Sequence, residues 1–310
     1  MVLTLSEIKV SVYCTAYNHG KYIRDCLDGF VKQKTDFKYE VIVHDDASTD
    51  DTAKIIKEYA DRYPDIIKPI FQKENQYSKG ISISQTFIAP ILQGEYIAVC
   101  EGDDCWIDEN KLQKQVDILD KNRSLVACVH QTKLYDCISG RFSVVSPINN
   151  TGIIDKVKIF SDCCPLFHTS SLCYRREFLT NKPRFCRISK SVGDYPFGIY
   201  LALSGPIYYI NEEMSFYRLN TETSWSLKMK NNKDNTSLYR EMIQILEIAD
   251  NESDYKYHDY FRIPILEYKY RCWEKNFEFS VLNDDDLSKL KLSKKIKIFS
   301  KKMIKIFLHK

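Results

Sequence analysis

No stretch of this chain approaches the roughly 20 consecutive apolar residues that a bilayer-spanning helix needs, so none is predicted. Its first residues lack the basic, apolar and small-residue order of a signal peptide, because polar side chains interrupt Met1 to Val10. The eleven cysteines show none of the paired CxxC spacings of a zinc site, and Cys163 and Cys164 are adjacent. Reduced thiols in a cytoplasmic protein are therefore expected. No Gly-rich basic loop lies near the N-terminus to cradle a triphosphate, which argues against a nucleotidyltransferase. Acid is missing from residues 289–310, which carry nine lysines; since the whole chain is +3, the remainder is net −6. A mildly acidic body offers no basic groove, and no nucleic-acid partner is expected.

What is present is an ordinary soluble composition, 44% hydrophobic and 28% charged over 310 residues. That length holds one large α/β domain plus an appendage, or two modest domains. The chain is organised around Glu95 to Trp106. Tyr96-Ile97-Ala98-Val99-Cys100 reads as a buried strand. It runs straight into Glu101-Gly102-Asp103-Asp104, and Asp108 to Lys121 then reads as a helix. Carboxylates packed that closely repel unless a cation neutralises them. Their hard oxygens suit Mg²⁺ or Mn²⁺, ions that keep open positions for phosphates, although a solvated acidic turn has the same composition.

Earlier in the chain, alternation over Ile8 to Thr15 predicts a first strand, followed by a turn-forming loop at Ala16 to Gly20. A helix is predicted over about Lys21 to Gln33, a strand over Tyr39 to His44, and a helix from near Thr52 with Ser48 or Asp50 as cap. Ile67 to Phe71 reads as a strand, and Ser82 to Leu92 as a helix. Four alternations within 120 residues predict a mostly parallel, doubly wound sheet. The loops after Thr15, at Asp45-Asp46 and at Asp103 should then share one sheet edge, where ligands bind in open α/β folds. A carboxylate at Asp46 is placed to accept from a base N–H or a ribose hydroxyl, or simply to close a turn.

Leu125 to Val129 reads as a further strand, residues 131–162 are irregular, and Pro165 to Arg175 resumes alternation. His168 in that stretch reads as a core or loop histidine rather than a ligand. Asp194 opens a helix, where it serves either the helix dipole or as a catalytic base. Ile207–Ile210 and Met214–Leu219 read as neighbouring strands, with a polar loop over 220–226. Arg218 suits a phosphate or a local carboxylate. Tyr239–Ile248 and Tyr260–Phe277 read as helices. In the tail, Leu292, Ile296, Phe299, Met303, Ile306 and Phe307 recur at helical spacing among lysines. That pattern fits a helix on an anionic membrane, a helix docked on protein, or a disordered end.

Val10-Ser11-Val12-Tyr13-Cys14-Thr15-Ala16-Tyr17-Asn18, Val43-His44-Asp45-Asp46-Ala47-Ser48-Thr49-Asp50, Glu101-Gly102-Asp103-Asp104 and Gly193-Asp194 occur in an order and at distances that resemble the family 2 glycosyltransferases. The resemblance covers about residues 8–226. It implies an α/β, GT-A-type sheet, mixed but mostly parallel and flanked by helices. The glycosyltransferase domain would span 1–226, with a nucleotide-binding half to about 130 and an acceptor half beyond, then a helical extension over 227–288 and the basic tail 289–310. Thr15, Tyr17, Asn18, Asp46, Asn75, Glu101 and Asp103 would contact a nucleotide-sugar donor, with a UDP-sugar expected. Asp103 and Asp104 match the metal and ribose ligands of the family's DxD element, so a divalent cation, Mn²⁺ or Mg²⁺, is implied, with the choice between the two acids open. Asp194 matches the general base, and inverting transfer to a glycan or lipid-linked glycan follows. The tail would hold the enzyme peripherally on the inner face of the plasma membrane. Two departures stand out. The first DxD acid is Glu101, and Leu219-Asn220 replaces a histidine that many relatives carry after the Tyr-Arg pair. These permit a non-catalytic sugar-nucleotide binder of the same fold as the alternative.

Overall fold

The computed structural model describes residues 8–189, 192–222, 224–232, 234–276, 281–295 and 298. The chain divides into two compact units, Met1–Ile159 with Cys164–Lys233, and Phe160–Cys163 with Asp234–Lys310.

In the first unit the apolar runs become strands and the amphipathic stretches become helices that cover them. β1 (Ile8–Ala16) buries Val10, Val12 and Cys14. α1 (Ile23–Val31) turns Ile23, Cys26, Leu27 and Phe30 inward. There follow β2 (Lys38–Asp45), α2 (Thr52–Arg62), β3 (Ile67–Phe71) and β4 (Tyr96–Val99). The order β3-β2-β1-β4 is parallel throughout. β2 and β4 are buried on both faces, as parallel strands between helices must be.

The next elements are β5 (Cys105–Trp106), α3 (Lys111–Lys121), β6 (Ala127–Asp136), β7 (Arg141–Val144), β8 (Gly152–Ile153), α4 (Lys156–Ser161), β9 (Cys173–Arg175), α5 (Asp194–Ser204), β10 (Ile207–Leu219) and α6 (Trp225–Asn231). The sheet continues as β4-β9-β6-β10-β5, with β7 on β6 and β8 on β10. β9 runs antiparallel to both its neighbours, while β6 and β10 pair in parallel over most of their length. The expected mixed, mostly parallel sheet is what forms.

Two packing details position the first site loop. At Gly29 on α1, an added Cβ would lie 2.6 Å from the Trp106 carbonyl oxygen and 2.9 Å from its amide nitrogen, so glycine lets the helix approach β5. The Phe30 ring meets Trp106 edge-on at 4.8 Å. The fully buried Lys111 ammonium sits 3.9 Å from the centre of the Trp106 indole and donates to Gln115 Oε1 at 2.7 Å. Burial pushes this lysine down to about 8.

The second unit contains α7 (Thr236–Glu252), α8 (His258–Asn276) and α9 (Asp284–Lys289). Tyr270, Trp273, Leu282, Leu290 and Ile298 form its core, and Phe160 stacks on Phe261. Most of the expected basic tail, including Ile296, Phe299, Met303, Ile306 and Phe307, lies outside the described residues, as does Phe277 at the end of the expected second helix.

Three expectations about the elements are corrected. Ser82–Leu92 is no α-helix: a single π-type turn, Ser84–Ile88, stops where Pro90 has no amide hydrogen to continue it. Ile207–Ile210 and Met214–Leu219 are one strand, because the exposed Asn211-Glu212-Glu213 is a bulge at which the β6 register shifts rather than a turn. Pro165–Arg175 holds strand only from Cys173, a short 3₁₀ turn occupying Thr169–Ser171.

Candidate active site

Because β2, β1 and β4 are adjacent and parallel, their C-terminal ends meet on one edge, and main-chain bonds join the three loops there. The Asp46 amide donates to Ala16 O at 2.9 Å and the Gly102 amide to Thr15 O at 3.0 Å. The expected grouping of Thr15, Asp46 and Asp103 at one edge is therefore met.

The first two loops are stitched together by side chains. Asn18, in the left-handed region at φ 55°, accepts the Thr49 amide on Oδ1 at 2.8 Å, and its own amide donates to Ser48 Oγ at 2.9 Å. Asp50 accepts the Gly20 amide at 2.8 Å and the Thr52 amide at 3.0 Å, but the N-cap of α2 is Asp51 with no side-chain cap, so neither Ser48 nor Asp50 caps that helix as expected. Burial alone would raise this acid, but these bonds outweigh it and hold it low. Tyr17 stands exposed at the rim.

Asp46 is buried, and both of its oxygens are engaged: Oδ1 accepts the Gln76 amide at 2.8 Å and Oδ2 the Tyr77 amide at 3.0 Å. Asn75 donates from Nδ2 to Asp46 O at 3.2 Å and accepts the Ser78 amide at 2.7 Å. Asp46 and Asn75 thus fix the loop over 72–80, and the carboxylate's remaining lone pairs are what is left for a ligand.

Glu101, Asp103 and Asp104 bring one carboxylate oxygen each to within 4.8 Å of one another. Asp103 and Asp104 are buried, while Glu101 reaches solvent. Asp104 Oδ1 accepts the Arg218 amide at 3.2 Å, whereas Oδ2 is enclosed and has no hydrogen-bond partner. Burial and the neighbouring Asp103 and Glu101 push Asp104 far above the usual carboxylate range. The crowded surroundings of Glu101, then Asp103 and Asp194, raise it as well. Arg218 does not neutralise the cluster head-on, since its guanidinium goes to Asp25 at 2.6 Å and to the Asp103 carbonyl at 2.7 Å. Of the two expectations for Arg218, the local carboxylate is met. An enclosed, donorless oxygen beside two further carboxylates is a donor set that fits a hard divalent cation.

The cluster is walled by residues that sequence reasoning missed. His19 Nε2 lies 3.9 Å from Asp103 Oδ1, and His168 Nδ1 lies 3.8 Å from Asp104 Oδ2. His168 stacks on Tyr217 with ring centroids 4.0 Å apart, and Thr221 Oγ1 donates to Asp103 Oδ2 at 3.3 Å. Burial keeps the His168 imidazole neutral by lowering its pKa to about 3. His19 sits in a loop already marked by its neighbours; nothing local singled out His168 or Thr221. A Cβ at Gly102 would press on this wall, meeting His19 Nδ1 at 2.8 Å and Ile23 Cδ1 at 2.9 Å, so a larger residue there displaces those side chains.

Asp194 is the first residue of α5, follows the N-cap Gly193, and accepts the Tyr195 amide at 2.8 Å. Its carboxyl reaches solvent yet is closely surrounded, and that crowding raises its pKa. It is near enough to Glu101 to raise that acid's pKa too, so the fold brings the fourth motif to the acidic cluster.

Comparison with known proteins bears on this edge. Residues 11–170 match the family model described as "Glycosyl transferase family 2". An uncharacterized protein of Mycobacterium tuberculosis (strain H37Rv) is 34% identical over 220 residues, 70% of this chain and 60% of that protein. The chain thus spans about 60% of the length of such curated relatives. Chondroitin synthase of Escherichia coli is 30% identical over 203 residues, covering 66% of this chain and 28% of the synthase. The crystal structure of S. aureus TarS 1–349 in complex with UDP-GlcNAc superposes with a TM-score of 0.64 over 94% of this chain and 79% of that one, at 21% identity. That likeness concerns the fold.

Proposed function

From the premise that the chain belongs to glycosyl transferase family 2, we propose that it transfers a sugar from a nucleotide-diphosphate sugar, a UDP-sugar foremost, to an acceptor hydroxyl with inversion. The observation that carries this reading is the convergence of Asp194 on the cluster of Glu101, Asp103 and Asp104. Thr15, Tyr17, Asn18, Asp46 and Asn75 border the nucleotide on the adjoining loops.

Asp103 and Asp104, with Glu101 beside them, would hold Mn²⁺ or Mg²⁺. When bound, such an ion supplies Lewis-acid neutralisation of diphosphate charge. The protein's own part is positional and protolytic. Asp46 orders the 72–80 loop against the nucleotide pocket. Thr221 ties the loop after β10 to Asp103 and so closes the diphosphate side. The Asp194 carboxylate accepts the proton of the acceptor hydroxyl as that oxygen attacks the anomeric carbon, which is general-base work at a group that water still reaches.

The acceptor proposed is a growing glycan on a lipid carrier, in cell-surface polysaccharide synthesis, a reading supported by the polysaccharide synthase among the relatives and by the basic tail. Among the described residues no helix is long and apolar enough to cross a membrane. Peripheral attachment is assigned to the lysines beyond Ile298, because Leu290 and Ile298 are taken up in the core of the second unit.

The test is transfer from a panel of radiolabelled UDP- and GDP-sugars to a lipid-linked glycan fraction. Asp194→Asn should lose a factor of about 10² to 10⁴ in turnover while still binding nucleotide. Near-wild-type transfer by that variant would remove Asp194 from the mechanism.

A further inference from the structure

His168 has no role in the reading above beyond walling the acidic cluster, yet its hydrogen bonds define its chemistry. Its Nδ1 accepts the main-chain amide of Ser170 at 3.2 Å, and the Ser170 hydroxyl lies 2.8 Å from the same nitrogen. A main-chain N–H can only donate, so Nδ1 carries no proton and the single imidazole hydrogen is on Nε2. The ring has little freedom to turn, being stacked on Tyr217 with centroids 4.0 Å apart. Ser170 is itself held, its hydroxyl 2.9 Å from Ser215 Oγ and Ser215 in turn 2.9 Å from Thr132 Oγ1.

The Nε2–H makes no hydrogen bond among the described residues, and Nε2 is not one of the enclosed unpaired atoms. About an eighth of the side chain, 13%, stays in solvent. The other ring nitrogen is 3.8 Å from the enclosed, donorless Asp104 Oδ2. A rigid, oriented donor is thus presented one ring-width from the cation-binding carboxylates.

We propose that His168 is a donor-binding residue whose Nε2–H donates a hydrogen bond to an oxygen of the bound nucleoside diphosphate. This inference rests on the donor-site reading above. Its chemistry fits a ligand bearing negative oxygen beside a cation, because a fixed N–H complements such an oxygen at no reorganisation cost.

Two substitutions separate the two nitrogens. Asn at this position keeps an acceptor where Nδ1 stands and preserves the Ser170 contact, but has nothing at Nε2. Gln places its amide N–H2 near Nε2 and gives up the Ser170 contact. Calorimetric titration of the full chain with UDP and with GDP, each with Mn²⁺, reads the difference, and thermal melts confirm that both variants fold. The expected result is that His168→Asn binds the nucleotide about tenfold or more weakly, the loss of a hydrogen bond to a charged group, while His168→Gln stays close to wild type. The reverse order would make His168 only the cap of residues 169–171 and overturn the proposal. Equal affinities in all three proteins, or equal losses in both variants, would overturn it as well. A wild-type protein that binds neither UDP nor GDP would instead refute the donor-site reading on which the proposal stands.

Discussion

Asp46→Asn isolates the structural work of an acid that the nucleotide site also needs. Both carboxylate oxygens accept main-chain amides, from Gln76 and Tyr77, at a side chain only 5% exposed. The asparagine keeps one acceptor and turns an N–H2 toward the other amide, so one bond is lost and two donors face each other. A hydrogen bond to a charged group contributes about 1.5–3 kcal/mol, and leaving a buried donor unpaired costs on the order of 1–3 kcal/mol. The loss falls on the 72–80 loop, whose other anchors include Asn75 on the Asp46 carbonyl and the Gln72 amide on the Asp45 carbonyl. A local loss of about 2 kcal/mol corresponds to exchange roughly 30-fold faster at the Gln76 and Tyr77 amides. Amide exchange by NMR or mass spectrometry reads this directly, with the β1–β4 amides as an internal control. If Gln76 and Tyr77 keep wild-type protection in the variant, Asp46 does not hold the loop and the geometric argument is refuted.

Three other outcomes are expected. Lys111→Met should raise stability at neutral pH. Burial lowers the lysine from its ordinary value of 10.5 to about 8, so between these values the unfolded chain binds a proton that the folded one does not. Wild-type stability therefore gains as pH rises from about 8 to 10.5 through this group, by up to about 3 kcal/mol, and denaturation of the variant should lack that gain. Gly29→Ala should lower stability by about 2 kcal/mol net, since a Cβ at 2.6 Å from the Trp106 backbone costs more than helix propensity returns; an unchanged melting temperature would refute that close approach. Replacing Lys301, Lys302 and Lys305 by Glu should reduce sedimentation with anionic vesicles by about 1 kcal/mol or more per position, and equal sedimentation would end the membrane proposal for the tail.

Much of this architecture is legible in the chain because parallel strands leave a strong trace. Tyr96 to Cys100 is an uninterrupted apolar run that runs straight into three acids within four residues, so the strand, its end and the chemistry of the site all lie within ten residues. Asn18 is legible as a turn former because its partner Thr49 comes from a loop the sequence already marks, whereas the cap expected of Ser48 or Asp50 falls to Asp51. The misses have a common physical cause, which is that the deciding contact is distant. β10 reads as two strands because its exposed Asn211-Glu212-Glu213 mimics a turn, and only pairing with β6 shows a bulge. Ser82–Leu92 has helical spacing, but Pro90 removes an amide that a continuing helix would use. His168 reads as a bland loop histidine since its neighbours Asp104 and Tyr217 are far away in sequence. The tail's sequence leaves a membrane helix, a docked helix and a disordered end open, and Leu290 and Ile298 belong with Trp273 in a core that no local pattern announces.

The central claim is that Asp103 and Asp104 bind a nucleoside diphosphate through a divalent cation, and cation-dependent nucleotide binding tests it most directly. In a thermal-shift titration of the wild type and Asp104→Asn with UDP, in Mn²⁺ and in EDTA, ligand bound only by the native state raises the melting temperature by mass action. Expected are a UDP-dependent rise in Mn²⁺ for the wild type, none in EDTA, and none for the variant under either condition. A rise of equal size in EDTA, or in Asp104→Asn with Mn²⁺, would contradict that claim.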